Sequence, residues 1–205
     1  VRDPETIKLL GDLVRRQLLR LISEKPMTQR QLAERMNLKE PSVSHHLGRL
    51  SEAGLIQINR SEVGPYGILQ KYYEPTARLF IEDWDSIPPE LHRYFIHAHM
   101  ERLRGMFSVF QLIEGDSERL NFDGAEMEAM AELTARRISK IAETYEGTES
   151  VLDRENLLIR IYSETLRAEL RNGRLLGAEK SGAFSRLLGE LGLVGEELGS
   201  FKVGK

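Results

Sequence analysis

Between Thr28 and Tyr73 the apolar residues run through two short helical repeats and then switch to strict alternation, an order that few folds accommodate. Thr28 and Gln31 have the spacing of a capping box, and Leu32 and Met36 supply one inward stripe before Asn37. Leu38 to Glu40 leave only a tight link. The next helix is expected to take Glu40 as N-cap and Pro41 at its first position, to bury Val43, Leu47 and Leu50, and to stop at Gly54. In LIQINRSEVGPYGILQKYY the period becomes two, with Ile56 and Ile58 pointing one way and Gln57 and Asn59 the other. Gly64-Pro65-Tyr66-Gly67 supplies the turn, and the return strand runs from Ile68 to Tyr73. Ahead of this block, Asp3 and Pro4 open a helix whose apolar positions Ile7, Leu10, Leu13, Val14, Leu18, Leu21 and Ile22 continue to Lys25, before Pro26. A helix, a helix-turn-helix and a β-hairpin in that order predict a winged helix.

The remainder reads as helix. Pro88 and Pro89 open a segment in which Leu91, Phe95, Met100, Leu103, Met106, Phe107, Phe110 and Leu112 spread over a broad apolar arc, so it requires burial on more than one side. Asp123 with Glu126 starts another helix to about Tyr145, and Asp153 caps a third that stops at Gly173. A short helix near Phe184 to Leu191 and a glycine-rich tail close the sequence. The expectation is a mainly α fold with a small β-hairpin: residues 1–80 a winged helix-turn-helix, residues 81–205 a helical dimerisation and possible effector region.

Charge divides along the same line. Residues 1–80 hold 13 Lys and Arg against 9 Asp and Glu, whereas residues 81–205 hold 16 against 23. The first part is therefore the one suited to a polyanion. With no cysteine, thiolate metal sites and disulfides are excluded. The charged opening residues and the lack of a long apolar run predict neither a signal peptide nor a membrane span, and hence a cytoplasmic protein.

Burying Val43, Leu47 and Leu50 forces Ser42, His45, His46 and Arg49 onto the opposite side of their helix, with Ser44 on the phosphate side. These side chains can hydrogen-bond to base edges or phosphates from within a major groove. Arg30, Arg35, Lys39, Arg60 and Lys71 are candidate phosphate-neutralising cations. The wing tip carries no charge, which leaves Tyr66 and backbone amides to meet the sugar-phosphate edge.

The stretch RRQLLRLISEKPMTQRQLAERMNLKEPSVSHHLGRLSEAGLIQINRSEVGPYGILQKYYEPT resembles the winged-helix domain of ArsR-type transcriptional regulators, especially the archaeal group in which a long helical carboxyl-terminal region follows the wing. PSVSHHLGRLSEAGLI is its most specific part. The likeness covers residues 5 to 77, with the rest matched in layout. It implies a homodimer on a near-palindromic operator in double-stranded DNA, with the first helix and the later helices at the dimer interface. It also implies that Ser42, Ser44, His45, His46 and Arg49 occupy the reading helix, and that Tyr72 and Tyr73 lie on the strand returning from the wing.

Other chemistry fits less well. His92, His97 and His99 lie near Glu90 and Glu101, but His97 and His99, two apart, diverge on a straight helix, so structural or exposed histidines are favoured over a His/carboxylate metal sensor. Ser42 or Ser44 beside His45 lacks an orienting acid and an oxyanion hole, and no phosphate-binding glycine motif is present, so no enzyme and no cofactor are expected. The main competitor to a DNA-binding regulator is a winged helix used as a protein-interaction module in transcription machinery. The sequence names no small-molecule effector.

Overall fold

A computed structural model describes residues 1–64, 67–114, 122–147 and 153–172, with side chains omitted for 110–114. The predicted short helix and glycine-rich tail lie outside them. The chain forms two compact units, Val1–Phe80 and Ile81–Lys205.

In the first unit the expected single amino-terminal helix is two: α1, Pro4–Leu10, and α2, Leu13–Glu24. Asp3 caps the first through Thr6 N–H as anticipated, but Asp12 caps the second by accepting from Arg15 N–H at 2.9 Å. The Arg15 side chain donates back to the Leu9 carbonyl at 2.7 Å, which fixes the break. The apolar period runs across Gly11-Asp12 uninterrupted, and Leu13, expected inside, is 73% exposed.

Met27–Thr28 form a short strand, β1, and Gln29–Met36 form α3. The Thr28/Gln31 capping box is complete, with Gln31 N–H donating to Thr28 Oγ1 at 3.2 Å and Thr28 N–H to Gln31 Oε1 at 2.9 Å. Thr28→Ala should therefore cost about 1 kcal/mol of the first unit's stability, readable as a shift in its urea midpoint at constant slope. Helix α3 ends in left-handed Asn37, φ 52°, and Leu38 N–H returns to the Ala33 carbonyl. The chain then enters α4, Glu40–Glu52. Gly54, at φ +68°, turns it out again, a conformation that disfavours any side chain.

Strands β2, Ile56–Val63, and β3, Leu69–Pro75, form the wing, and β1 adds to β3 to give the antiparallel order β1-β3-β2. The register slips between Ile58, opposite Tyr73, and Arg60, opposite Tyr72, so Asn59 is an extra residue. This bulge interrupts the expected alternation, and of the two isoleucines on one face Ile56 is buried and Ile58 exposed. Leu18, Ile22, Leu32, Val43, Leu47, Leu50 and Leu55 form the common core.

The second unit holds a 3-10 turn, Trp84–Ser86, and helices α5, Pro89–Glu114, α6, Gly124–Glu143, and α7, Arg154–Arg171. The Asp123/Glu126 capping box and the Asp153 cap form as their spacing predicts. Phe95, Met100, Leu103 and Phe107 of α5 are buried, as are Met130 and Ile138 of α6 and Ile161 and Leu166 of α7. Phe110 and Leu112 fall among the omitted side chains. Trp84, which sequence periodicity did not flag, stacks on His92 at 4.5 Å between ring centres and lies under the Arg136 guanidinium. Among the described residues, no helix is long and apolar enough to cross a membrane.

Candidate nucleic-acid interface

Helix α4 is anchored by Val43, Leu47 and Leu50, none more than 2% exposed. This ridge turns Ser42, Ser44, His45 and Arg49 to solvent, together with Gly48, beside which the surface is open. Of the polar face expected from spacing, Ser42, His45 and Arg49 are exposed, with Ser44 exposed beside them. Arg49 has no carboxylate partner among the described residues.

His46 sits differently from its expected outward position. It is half-buried, and its Nδ1 is enclosed with no hydrogen-bond partner among the described residues. Its ring meets that of His45 edge-on at 5.7 Å between centres. Burial lowers its pKa; Asp12, the cap of α2, opposes that shift, while Arg15 and His45 reinforce it. His46 thus behaves more as a link from α4 to the start of α2 than as a free reading group. Because its folded pKa lies below the unfolded value of about 6.5, its neutral form supports the fold above that pH and the support is lost as pH falls through it. The urea midpoint of the first unit should drop from pH 7.5 to 5.5, and the drop should shrink in His46→Gln. An identical pH profile in the two proteins would refute this assignment.

The first residue of α4 also differs from expectation. Lys39 occupies the N-cap, with φ −74° and ψ 140° and no side-chain capping bond, so Glu40 is the first helical residue and Pro41 the second. A carboxylate there meets the positive end of the helix dipole and needs no capping role. The Glu40 carbonyl accepts from Gln29 Nε2 at 3.3 Å, joining the first turns of α3 and α4.

The candidate cations divide into two sets. Arg30 pairs with Glu34 at 2.9 Å, and Arg60 pairs with Glu62 at 2.7 Å while its guanidinium lies 3.8 Å from the centre of the Tyr72 ring. Each carboxylate holds the arginine's charge, raising its pKa through the side-chain hydrogen bond first. Arg35, Lys39 and Lys71 are exposed and have no such partner among the described residues. Pairing at the surface is worth about 0–1 kcal/mol, so Arg30 and Arg60 could still be released to a phosphate. Tyr66 lies outside the described residues. On either side of it the wing presents Val63, Ile68 and Leu69, all largely exposed. Tyr72 and Tyr73 are half-buried on β3, where they pair with Thr28 and Met27 of β1. A cleft of about 420 Å³ opens between α3, α4 and β3, lined by Gln29, Arg30, Glu40, Gln70 and Lys71 among others.

The histidines of the second unit have separate structural settings. His92 Nε2 is 2.9 Å from the Ile87 carbonyl, His99 Nδ1 is 2.6 Å from the Tyr162 hydroxyl in the interior, and His97 is exposed. No group of three or more His, Asp or Glu with metal-binding geometry occurs among the described residues.

Residues 12–57, from the cap of α2 to the start of β2, match the family model described as "Bacterial regulatory protein, arsR family". A curated relative, the transcriptional repressor SdpR of Bacillus subtilis (strain 168), is 40% identical over 53 residues, which are 26% of this chain and 59% of that protein. The chain thus spans less than two thirds of that relative's length. The helix-turn-helix of α2 to α4 is accordingly similar to an arsR-type unit, whereas nearly all of the hairpin and the whole second unit lie outside the family match.

Proposed function

We propose that the protein is a sequence-specific transcriptional regulator that binds double-stranded DNA through α4, as a homodimer on a near-palindromic operator. The observation that carries this reading is the exposed Ser42-Ser44-His45-Arg49 face, held on a buried ridge within the segment similar to arsR-type regulators. In a helix-turn-helix the second helix enters the major groove, where Ser and Arg are competent for base edges and phosphates alike. Lys39, Arg35 and Lys71 surround that face as backbone contacts, with Arg30 and Arg60 available after release from their carboxylates. Dimerisation is the part of the reading that the resemblance contributes, since the described apolar side chains of α5 to α7 such as Phe95, Leu103 and Phe107 are already covered within one chain. The length of these helices is what supports assignment to the archaeal group with a helical carboxyl-terminal region. Repression is the sense carried by the relative's name and is the direction we assign.

Binding of the full chain to fragments of its own genome at two salt concentrations tests the proposal. We expect a small set of preferred fragments and an affinity that falls steeply with salt. Absence of any preferred fragment at low salt would defeat it. The exposed Val63, Ile68 and Leu69 favour a second reading, docking of a protein on the wing; salt-insensitive capture of a partner without DNA retention would select that reading instead.

A further inference from the structure

We propose that Glu40 is a sequence-reading residue, its carboxylate accepting a hydrogen bond from the exocyclic amino group of a cytosine in the major groove. This rests on the DNA-binding reading above and adds a base preference to it.

Glu40 is exposed at the first position of α4, and its side chain makes no hydrogen bond or ion pair among the described residues. Its main chain, by contrast, is held by Gln29 Nε2. The result is a fixed backbone carrying a carboxylate that has the helix dipole and the nearby Arg30 charge but no hydrogen-bond donor of its own among the described residues, at the head of the reading helix, the end whose residues reach base edges in this type of fold. An ionised carboxylate can only accept hydrogen bonds. Phosphates offer it no donor and repel it, so its complement on DNA is a base amino group, cytosine N4 or adenine N6; beside adenine N6 lies the N7 acceptor, which repels a carboxylate, so cytosine N4 is the better partner. Arg30 and Lys71 line the same cleft and offset the repulsion from the flanking strand. Guanine, thymine and a bare phosphate would each leave the carboxylate unpaired, so Glu40 also acts against register shifts that bring the backbone to this point.

The test compares the full-length protein with Glu40→Gln by selection from a pool of randomised duplexes, followed by affinity measurements on the selected duplex and on variants at each position. The unchanged protein should prefer a C·G pair at one position of each half-site. Glu40→Gln should hold unrelated duplexes more tightly at low salt and lose about tenfold or more of that one preference. A uniform gain in affinity with every base preference intact would overturn the inference, since it would make Glu40 a nearby charge only. Lowered thermal stability with unchanged preference would also overturn it, leaving the helix dipole as the whole role. If the unchanged protein retains no duplex, the DNA-binding reading itself fails, an outcome distinct from a preference that survives in Glu40→Gln.

Discussion

Replacing Leu50 by Ala is expected to destabilise the first unit by about 2–5 kcal/mol, a large part of what a domain of this size possesses. Leu50 is 0% exposed and packs with Leu18, Ile22, Leu32 and Val43, so truncation opens a cavity where three helices meet. The neighbouring surface change Ser51→Ala should stay within about 0.5 kcal/mol. Trp84 is the chain's single tryptophan and belongs to the second unit, so its fluorescence should follow that unit while far-UV circular dichroism registers the loss in the first. Urea unfolding read by both signals checks the expectation. A loss below 1 kcal/mol would mean that the core collapses around the missing atoms, and that α4 is not held as rigidly as its burial implies.

What could be read in the sequence was what local chemistry decides. Thr28 with Gln31, Asp123 with Glu126, and Asp153 all cap helices because each bond spans only a few residues. The Val43-Leu47-Leu50 ridge was legible for the same reason, and with it the exposed face opposite. Tertiary context decided the rest. Periodicity alone carries α1 into α2, although Gly11 followed by Asp12 was a usable stop-and-start signal. Strand β1 is too short to alternate, and it exists only because β3 offers it an edge. The bulge at Asn59 follows from pairing, with Gln57 and Asn59 both donating to the Glu74 carboxylate at 2.9 and 2.8 Å. Spacing likewise put His46 beside His45 on the polar face, but one of its nitrogens is enclosed, and the charges of Asp12 and Arg15 act on its ring. The charge pattern concealed a further distinction: Glu34 and Glu62 already engage two of the arginines, whereas Arg49 and Lys71 have no carboxylate partner among the described residues. The first of those pairs was readable as a four-residue helical spacing.

That distinction sets the second large expected effect, which contrasts Arg49→Ala with Lys71→Ala on the preferred duplex. Among the described residues neither side chain has a carboxylate partner, so on the proposed DNA-binding reading each substitution removes a contact without freeing a compensating charge. Arg49 stands on α4, in line with Ser42 and His45, and its forked guanidinium suits bidentate recognition of guanine. Its loss should weaken binding to the preferred duplex by about 1–3 kcal/mol, and binding to unrelated duplexes by less. Lys71 stands on β3 beside the cleft, where an ammonium acts as a point charge. Its loss should weaken all duplexes alike and reduce the slope of log affinity against log salt by about one. Titrations of both variants at several salt concentrations separate the two modes. Equal losses for Arg49→Ala on preferred and unrelated duplexes would reassign Arg49 to the phosphates. Base recognition would then fall to the first turns of α4, where Glu40, Ser42 and His45 stand.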